Sequence, residues 1–209
     1  MTRASIVLAL LLALPAPSRA QNQFSIRGFG DAGLTVFTAT QSFKAILGKP
    51  SGPVFGGGVE VGLPKHLFVS LGASRFRRTG HRVFVFEKQV FTLDVADTVT
   101  VTPLELTAGY RFRRSGFVIP YAGAGVGWHT YEETSAHSTA ADDVKTTHTG
   151  YHVLAGAEVP VQKWLAAGVD AQWSAVPNAF GEAATSVASV YREHDLGGFT
   201  LRAKIIVGR

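Results

Sequence analysis

At 209 residues the chain has room for one domain once an N-terminal leader is set aside. It contains no cysteine, so it relies on no disulfide and offers no thiol chemistry. Its formal charge of +5 arises from 20 Lys and Arg against 15 Asp and Glu, and Arg3 and Arg19 fall in the leader, so the basic excess is too small to argue for a nucleic-acid partner.

The leader has a basic n-region at Arg3 and a short apolar run, Ile6–Leu14, broken by Pro15 and Pro17. Ser18-Arg19-Ala20 puts small residues where a signal peptidase would cut before Gln21. The run is far short of the ~20 apolar residues a membrane helix needs. Residues 1–20 therefore read as a cleaved signal peptide and residues 21–209 as one domain. No later stretch is long enough for a membrane helix either. A membrane crossing must then use strands, closed into a barrel so that no backbone group meets lipid unpaired.

The mature chain is dominated by alternation of apolar and polar residues, the pattern of strands with two unlike faces. The first strand spans about Phe24 to Phe37, with Ile26, Ala32, Leu34 and Val36 opposite Arg27, Asp31 and Thr35. A loop, Thr38–Gly52, leads to a second strand, Val54–Leu63, where Glu60 opposes Phe55, Val59 and Val61. Pro64-Lys65-His66 is a tight turn into a third strand that begins Leu67, Val69, Leu71, Ala73. Between Arg75 and Val101 the strand-like runs Val83–Phe86 and Val90–Leu93 suggest a hairpin rising above the bilayer. Pro103 is expected to mark a bulge, because proline cannot donate to a ladder; the fourth strand then alternates Leu104, Leu106, Ala108 with Glu105, Thr107, Arg111.

After a turn at Arg113–Gly116, the fifth strand, Phe117–Tyr131, carries Val118, Ala122, Val126 and Trp128 outward and Tyr121, three glycines and His129 inward. Glu132–Thr147 reads as a polar loop. The sixth strand, Thr149–Val159, sets Tyr151, Val153 and Ala155 against His152 and Glu158. A turn at Pro160–Lys163 precedes the seventh strand, whose alternation over residues 165–174 is the cleanest in the chain. A loop, Val176–Glu193, leads to the eighth, where Leu201, Ala203, Ile205 and Val207 oppose Thr200, Arg202 and Lys204. Helical periodicity is read nowhere outside the leader.

The connections alternate long and short, the asymmetry of membrane barrels with short turns on one side and long loops on the other. Aromatics fall at strand ends, where interfacial girdles belong: Phe24, Tyr110, Phe112, Phe117 and Trp164 near short turns, and Phe76, Trp128, Tyr151, Trp173 and Phe199 near long loops.

Pro120-Tyr121-Ala122-Gly123-Ala124-Gly125-Val126-Gly127, Gly109-Tyr110-Arg111-Phe112 and the closing strand from Leu196-Gly197-Gly198-Phe199 resemble the OmpA/OmpX-type outer-membrane β-barrel family over residues 22–209. The family commonly ends on an aromatic residue, whereas these last residues are Gly208-Arg209. The resemblance implies an all-β fold: an eight-stranded antiparallel up-and-down transmembrane β-barrel in the cell outer membrane. It also implies outer-membrane lipid and the barrel-assembly machinery as partners. An even strand number places both termini on the periplasmic side. A closed barrel can stand alone as a monomer, and an extracellular ligand would meet the long loops.

If the apolar face meets lipid, the lumen holds Arg27, Arg111, Arg202 and Lys204 with Asp31, Glu60, Glu105, Glu158 and Asp170. Four cations and five anions nearly cancel, and an eight-stranded barrel is only wide enough for side chains to fill. The expectation is an ion-paired plug, with a narrow channel as the alternative use of the same charges. Arg75, Arg77, Arg78 and Arg82 form a basic cluster suited to lipopolysaccharide phosphates if it lies at the outer surface. His129, His148 and His152 are expected near the external rim beside Glu132 and Glu133, but no compact His/Ser motif accompanies them, so no catalytic residue is assigned. His137, Asp142, Asp143 and His148 fit no fixed ligand spacing, so no metal site is assigned, and no cofactor motif is found.

The function read from this is a structural or surface-interaction scaffold with long external loops and no enzymatic role. A narrow channel or lipid-associated transporter, a lipid-modifying enzyme, and a secreted soluble lipocalin-type barrel with inverted faces stay open as alternatives.

Overall fold

A computed structural model describes residues 24–87, 89–112, 117–135, 144–180 and 186–208. The predicted leader, residues 1–20, lies outside them. Eight antiparallel strands close into a barrel in sequence order: β1 (Ser25–Phe37), β2 (Ser51–Gly62), β3 (Leu67–Phe86), β4 (Gln89–Arg111), β5 (Ile119–Ser135), β6 (Val144–Gln162), β7 (Leu165–Val176) and β8 (Leu196–Gly208). Closure is made by β8, which pairs with β7 from Val176↔Leu196 to Leu165↔Val207 and with β1 from Phe37↔Gly198 to Arg27↔Gly208. No strand edge is left open, as a membrane crossing requires.

The faces separate as the alternation predicts. Leu34, Phe55, Val59, Val126, Val169, Leu201 and Ile205 are all exposed on the outside, while Glu105, Glu158, Asp170 and Arg202 are buried within. Large aliphatic side chains covering an outer wall, with charges inside it, are the reverse of a soluble barrel. The inverted, lipocalin-type alternative is thereby excluded. Phe24, Phe112, Phe117 and Trp164 stand exposed at the short-turn end; Trp128, Tyr151, Trp173 and Phe199 do so toward the other, with Tyr151 and Trp173 in contact at 5.8 Å. Phe76 is the exception to the predicted girdle: it lies on the inward parity of β3 and is 2% exposed.

The hairpin expected between Arg75 and Val101 forms, with β3 and β4 paired as far as Phe86↔Gln89. Three other expectations change. The loop after the fifth strand is shorter than read, because β5 and β6 pair as far as Glu133↔Val144. Pro103 makes no bulge: Ala73↔Leu104 and Phe76↔Val101 are in one register, with only the intervening partners missing. The register shift in this hairpin falls instead between His81 and Val83. The last difference is helical: two long connections carry helices, α1 (Thr40–Leu47) and α2 (Val187–Tyr191).

An eight-residue helix is marginal alone, so α1 exists because of what it covers. Ala39, Phe43 and Leu47 are buried, Ile46 packs beside them, and Thr40, Gln41 and Lys44 face out. Gly48 ends the helix in the left-handed conformation, φ 74°, and its N–H returns to the Lys44 carbonyl. At the other end the Glu193 carboxylate accepts the N–H groups of Gln41 (2.9 Å) and Ser42 (2.8 Å), which satisfies two orphan donors and places negative charge at the positive end of the helix. The helix lies so close to β3 that a Cβ on Gly80 would come within 2.0 Å of the Ile46 carbonyl oxygen.

Candidate functional site

The interior has two layers of charge and a hydrophobic cork. Nearest the short turns, two arginines and two glutamates from four strands form a square. Arg27 donates Nε to Glu60 (2.8 Å) and both terminal nitrogens to Glu158 (3.0 Å each). Arg111 reaches Glu60 at 2.5 Å and Glu158 at 3.2 Å, and its guanidinium lies 4.5 Å over the Phe68 ring. The layer is neutral, and each charge meets two opposite ones. That condition matters because an unpaired charge in a confined interior costs several kcal/mol.

The middle layer centres on Asp170. It accepts from Arg202 Nε (3.0 Å), Lys204 (2.5 Å) and the Tyr121 hydroxyl (3.1 Å). Arg202 also donates to Gln172, whose amide donates to Glu105 at 2.6 Å. Asp31 faces the same space from β1, register-paired with Lys204. His152 is not at the rim as expected. Its parity on β6 turns it into the lumen, 1% exposed, where Nε2 and the Thr107 hydroxyl share a 2.8 Å hydrogen bond. Room for the ring comes from Gly125 on the neighbouring strand, where a Cβ would approach it to 2.8 Å. All nine lumen residues named from the sequence thus line one interior. Tyr121, Gln172, His152 and Thr107 join them, and nothing but strand parity marked them in advance.

Above this polar column, Phe37, Phe43, Phe76, Val99, Val101, Tyr131, Val176 and Leu196 close the loop end. Phe43 stacks on Phe37 at 4.1 Å, and Phe76 meets Phe37 edge-on at 4.9 Å. The spaces found within the column hold only about 40, 30 and 20 Å³. Each has room for one or two waters and none for a hydrated ion with its shell.

The basic cluster is split by the alternation of β3. Arg75 and Arg77 share the outward face and are exposed, whereas Arg78 turns the other way and donates to the Ser51 carbonyl at 2.8 Å. Arg82 is exposed beside the register shift. His129 is buried inside the wall, and half-buried His148 is register-paired with it from β6. His137, Asp142 and Asp143 lie outside the described residues.

A carboxyl pair that the sequence did not reveal lies beyond the Trp128 girdle. Asp97 is fully buried and accepts from the Ser135 hydroxyl at 2.8 Å, and Glu133 accepts from the Tyr131 hydroxyl at 2.9 Å. Burial, then the neighbouring Asp97, push Glu133 from its ordinary 4.5 up to about 7, against smaller opposing pulls from the Tyr131 hydroxyl and the Arg82 guanidinium. Burial and the two carboxylates raise the Tyr131 phenol as well. Because the folded loop end holds a proton that the unfolded chain releases near pH 4.5, this contribution is complete below that pH and lost as pH rises through about 7. Amide exchange at the loop end, corrected for intrinsic rates, is therefore expected to be slower at pH 5 than at pH 8. Glu133→Gln should flatten the difference; an unchanged profile in that variant would show that another group is responsible.

The fold recurs among solved outer-membrane proteins. A major outer membrane protein from Thermus thermophilus superposes with a TM-score of 0.58 at 12% identity, over 89% of this chain and 99% of that one. Neisserial surface protein A superposes with a TM-score of 0.52 at 13% identity, over 88% and 96%. No curated protein matches by sequence. The family model described as outer membrane protein beta-barrel domain matches residues 6–190, and β8 beyond that match completes the ring. With its closed eight-stranded wall, lipid-facing exterior and this match over most of its length, the chain belongs to the outer membrane protein beta-barrel domain family.

Proposed function

We propose that the protein is a sealed outer-membrane scaffold, without enzymatic activity, whose loop end is its working surface on the cell exterior. The observation that carries this reading is the blocked lumen: two ion-paired layers and an aromatic cork in series, with three internal spaces of about 40, 30 and 20 Å³ between the side chains. A channel needs a continuous wet path, so the same geometry argues against the conducting alternative. Both ends of the described chain and the short turns share one side, which in this reading is periplasmic, and the barrel works as a monomer.

Two measurements test it. In planar bilayers the purified barrel is expected to give no stepwise conductance; steady single-channel currents would sink the proposal. Because the chain has no native cysteine, Gln89→Cys at the hairpin tip and Lys163→Cys at a short turn can be labelled cleanly. An impermeant maleimide on intact cells should reach only the first, and the reverse result would invert the orientation.

Arg75 and Arg77, outward on β3 above Ala73, are placed by this reading to pair lipopolysaccharide phosphates. A double Arg→Ser variant should then bind lipopolysaccharide more weakly and with less salt dependence; equal binding would remove that role.

A further inference from the structure

One cavity at the loop end belongs neither to the lumen plug nor to the lipid face. It measures about 300 Å³ and lies among α1, α2 and the strand ends, walled by Phe43 and Ile46 of α1, Val99 of β4, Phe180 beyond β7, and Val187 of α2. An apolar cavity of about 150 Å³ accommodates one benzene ring, so this one has space for about two. Its size and mostly apolar lining with a few polar groups are those of a small-molecule site.

Two features of the wall restrict what it would hold. Ser42 also lines it, 5% exposed, and its hydroxyl has no hydrogen-bond partner among the described residues. The Ser42 backbone is fixed by the Glu193 carboxylate, so the hydroxyl is presented from a seated helix rather than a free loop. A buried hydroxyl without a partner costs about 1–3 kcal/mol, which a ligand's polar group would recover. The second feature is charge. No basic side chain is among the described residues lining the cavity, and the one carboxyl among them, Glu133, stands beside Asp97. An anionic head group would meet the Glu133 carboxyl with no cation in the described lining; the Arg82 guanidinium acts on that carboxyl only as a smaller pull from outside it. A cation would have to shed its water against aliphatic and aromatic side chains.

We propose that this cavity binds a small uncharged amphiphile, an apolar body of about two rings with a single hydroxyl that hydrogen-bonds Ser42. The proposal rests on the reading of the loop end as the working surface and names the ligand class for it.

The probe is 1-naphthol, with naphthalene as its analogue lacking a hydroxyl and 1-naphthoate as its anionic analogue, titrated into the full barrel in lipid nanodiscs against empty nanodiscs. Saturable binding of naphthol beyond the empty discs is expected, stronger than that of naphthoate. Ser42→Ala should weaken naphthol by about 2- to 12-fold, the net worth of one hydrogen bond, and leave naphthalene unchanged. Val187→Trp, from the α2 wall, should abolish both, with folding verified by the heat-dependent electrophoretic mobility of each variant. The proposal is overturned if naphthol binds no better than to empty discs, if naphthoate binds more tightly, or if Ser42→Ala weakens naphthol and naphthalene alike. Should Val187→Trp fail to fold, Ser42→Ala with the naphthol–naphthalene pair decides alone. Loss of naphthol binding in a barrel that still passes no current would leave the sealed scaffold intact.

Discussion

Replacing Glu158 by alanine is expected to destabilise the barrel by about 3–5 kcal/mol, the usual consequence of removing one partner from a buried ion pair. Glu158 is 3% exposed and is the carboxylate on which both Arg27 and Arg111 converge. Without it, two guanidiniums share Glu60 alone and lose about half of their charge-assisted hydrogen bonds. Urea unfolding in detergent micelles, followed by tryptophan fluorescence, would measure the change, and a loss below about 1 kcal/mol would show that the square is not the lumen's stabilising unit. Replacing all four members by Leu or Met of matching size is expected to be near neutral, because no charge is then left unpaired. The contrast distinguishes a plug that holds the barrel together from charges that chiefly need one another.

The second large effect is expected at the cork, in a different observable. Phe43 is 3% exposed, stacked on Phe37 and 6.2 Å from Phe180. Truncating a buried Phe to Ala costs about 3–5 kcal/mol where the site cannot collapse. Here the loss falls on an eight-residue helix that no ladder holds, so it should appear as local opening rather than global unfolding. Phe43→Ala should raise hydrogen exchange across α1 and let trypsin cleave after Lys44, whose side chain already faces out but whose peptide bond the folded helix protects. The strands should keep their unfolding midpoint. Coincident loss of strand protection would mean that cork and barrel form one cooperative unit.

These two sites differ in how visible they were in the sequence. The lumen square was legible because a strand has a period of two: once Ile26 is assigned to lipid, Arg27 must point inward, and the same parity assigns Glu60, Arg111 and Glu158. Parity also assigned His152 correctly where proximity in sequence did not, and applied to Arg78 it would have done the same. Reading the arginines from 75 to 82 as one cluster overlooked that Arg77 and Arg78 leave opposite faces of the wall. Likewise, His152 was grouped with its neighbours at the rim although it lies on the lumen side of β6, well below the strand's outer end.

The helix at residues 40–47 had a signal, since Ala39, Phe43, Ile46 and Leu47 follow helical spacing and Gly48 offers a left-handed cap. Against strong strand alternation on both sides, four residues were too few to carry it, because so short a helix is stabilised only by what it covers.

By itself the sequence determined that the chain crosses the membrane with strands, how many there are, and which side chains each strand turns to lipid or lumen. All of that follows from local alternation and from the length of apolar runs. Tertiary closure decided the rest. Asp97 and Glu133 become neighbours only through the register of β4 on β5, with Asp97 opposite Ser135 and Val99 opposite Glu133. Glu193 caps α1 from 151 residues away. The cavity between α1 and α2 has walls from six parts of the chain. Such sites depend on contacts distant in sequence, and no pattern along the chain encodes a distance across the barrel.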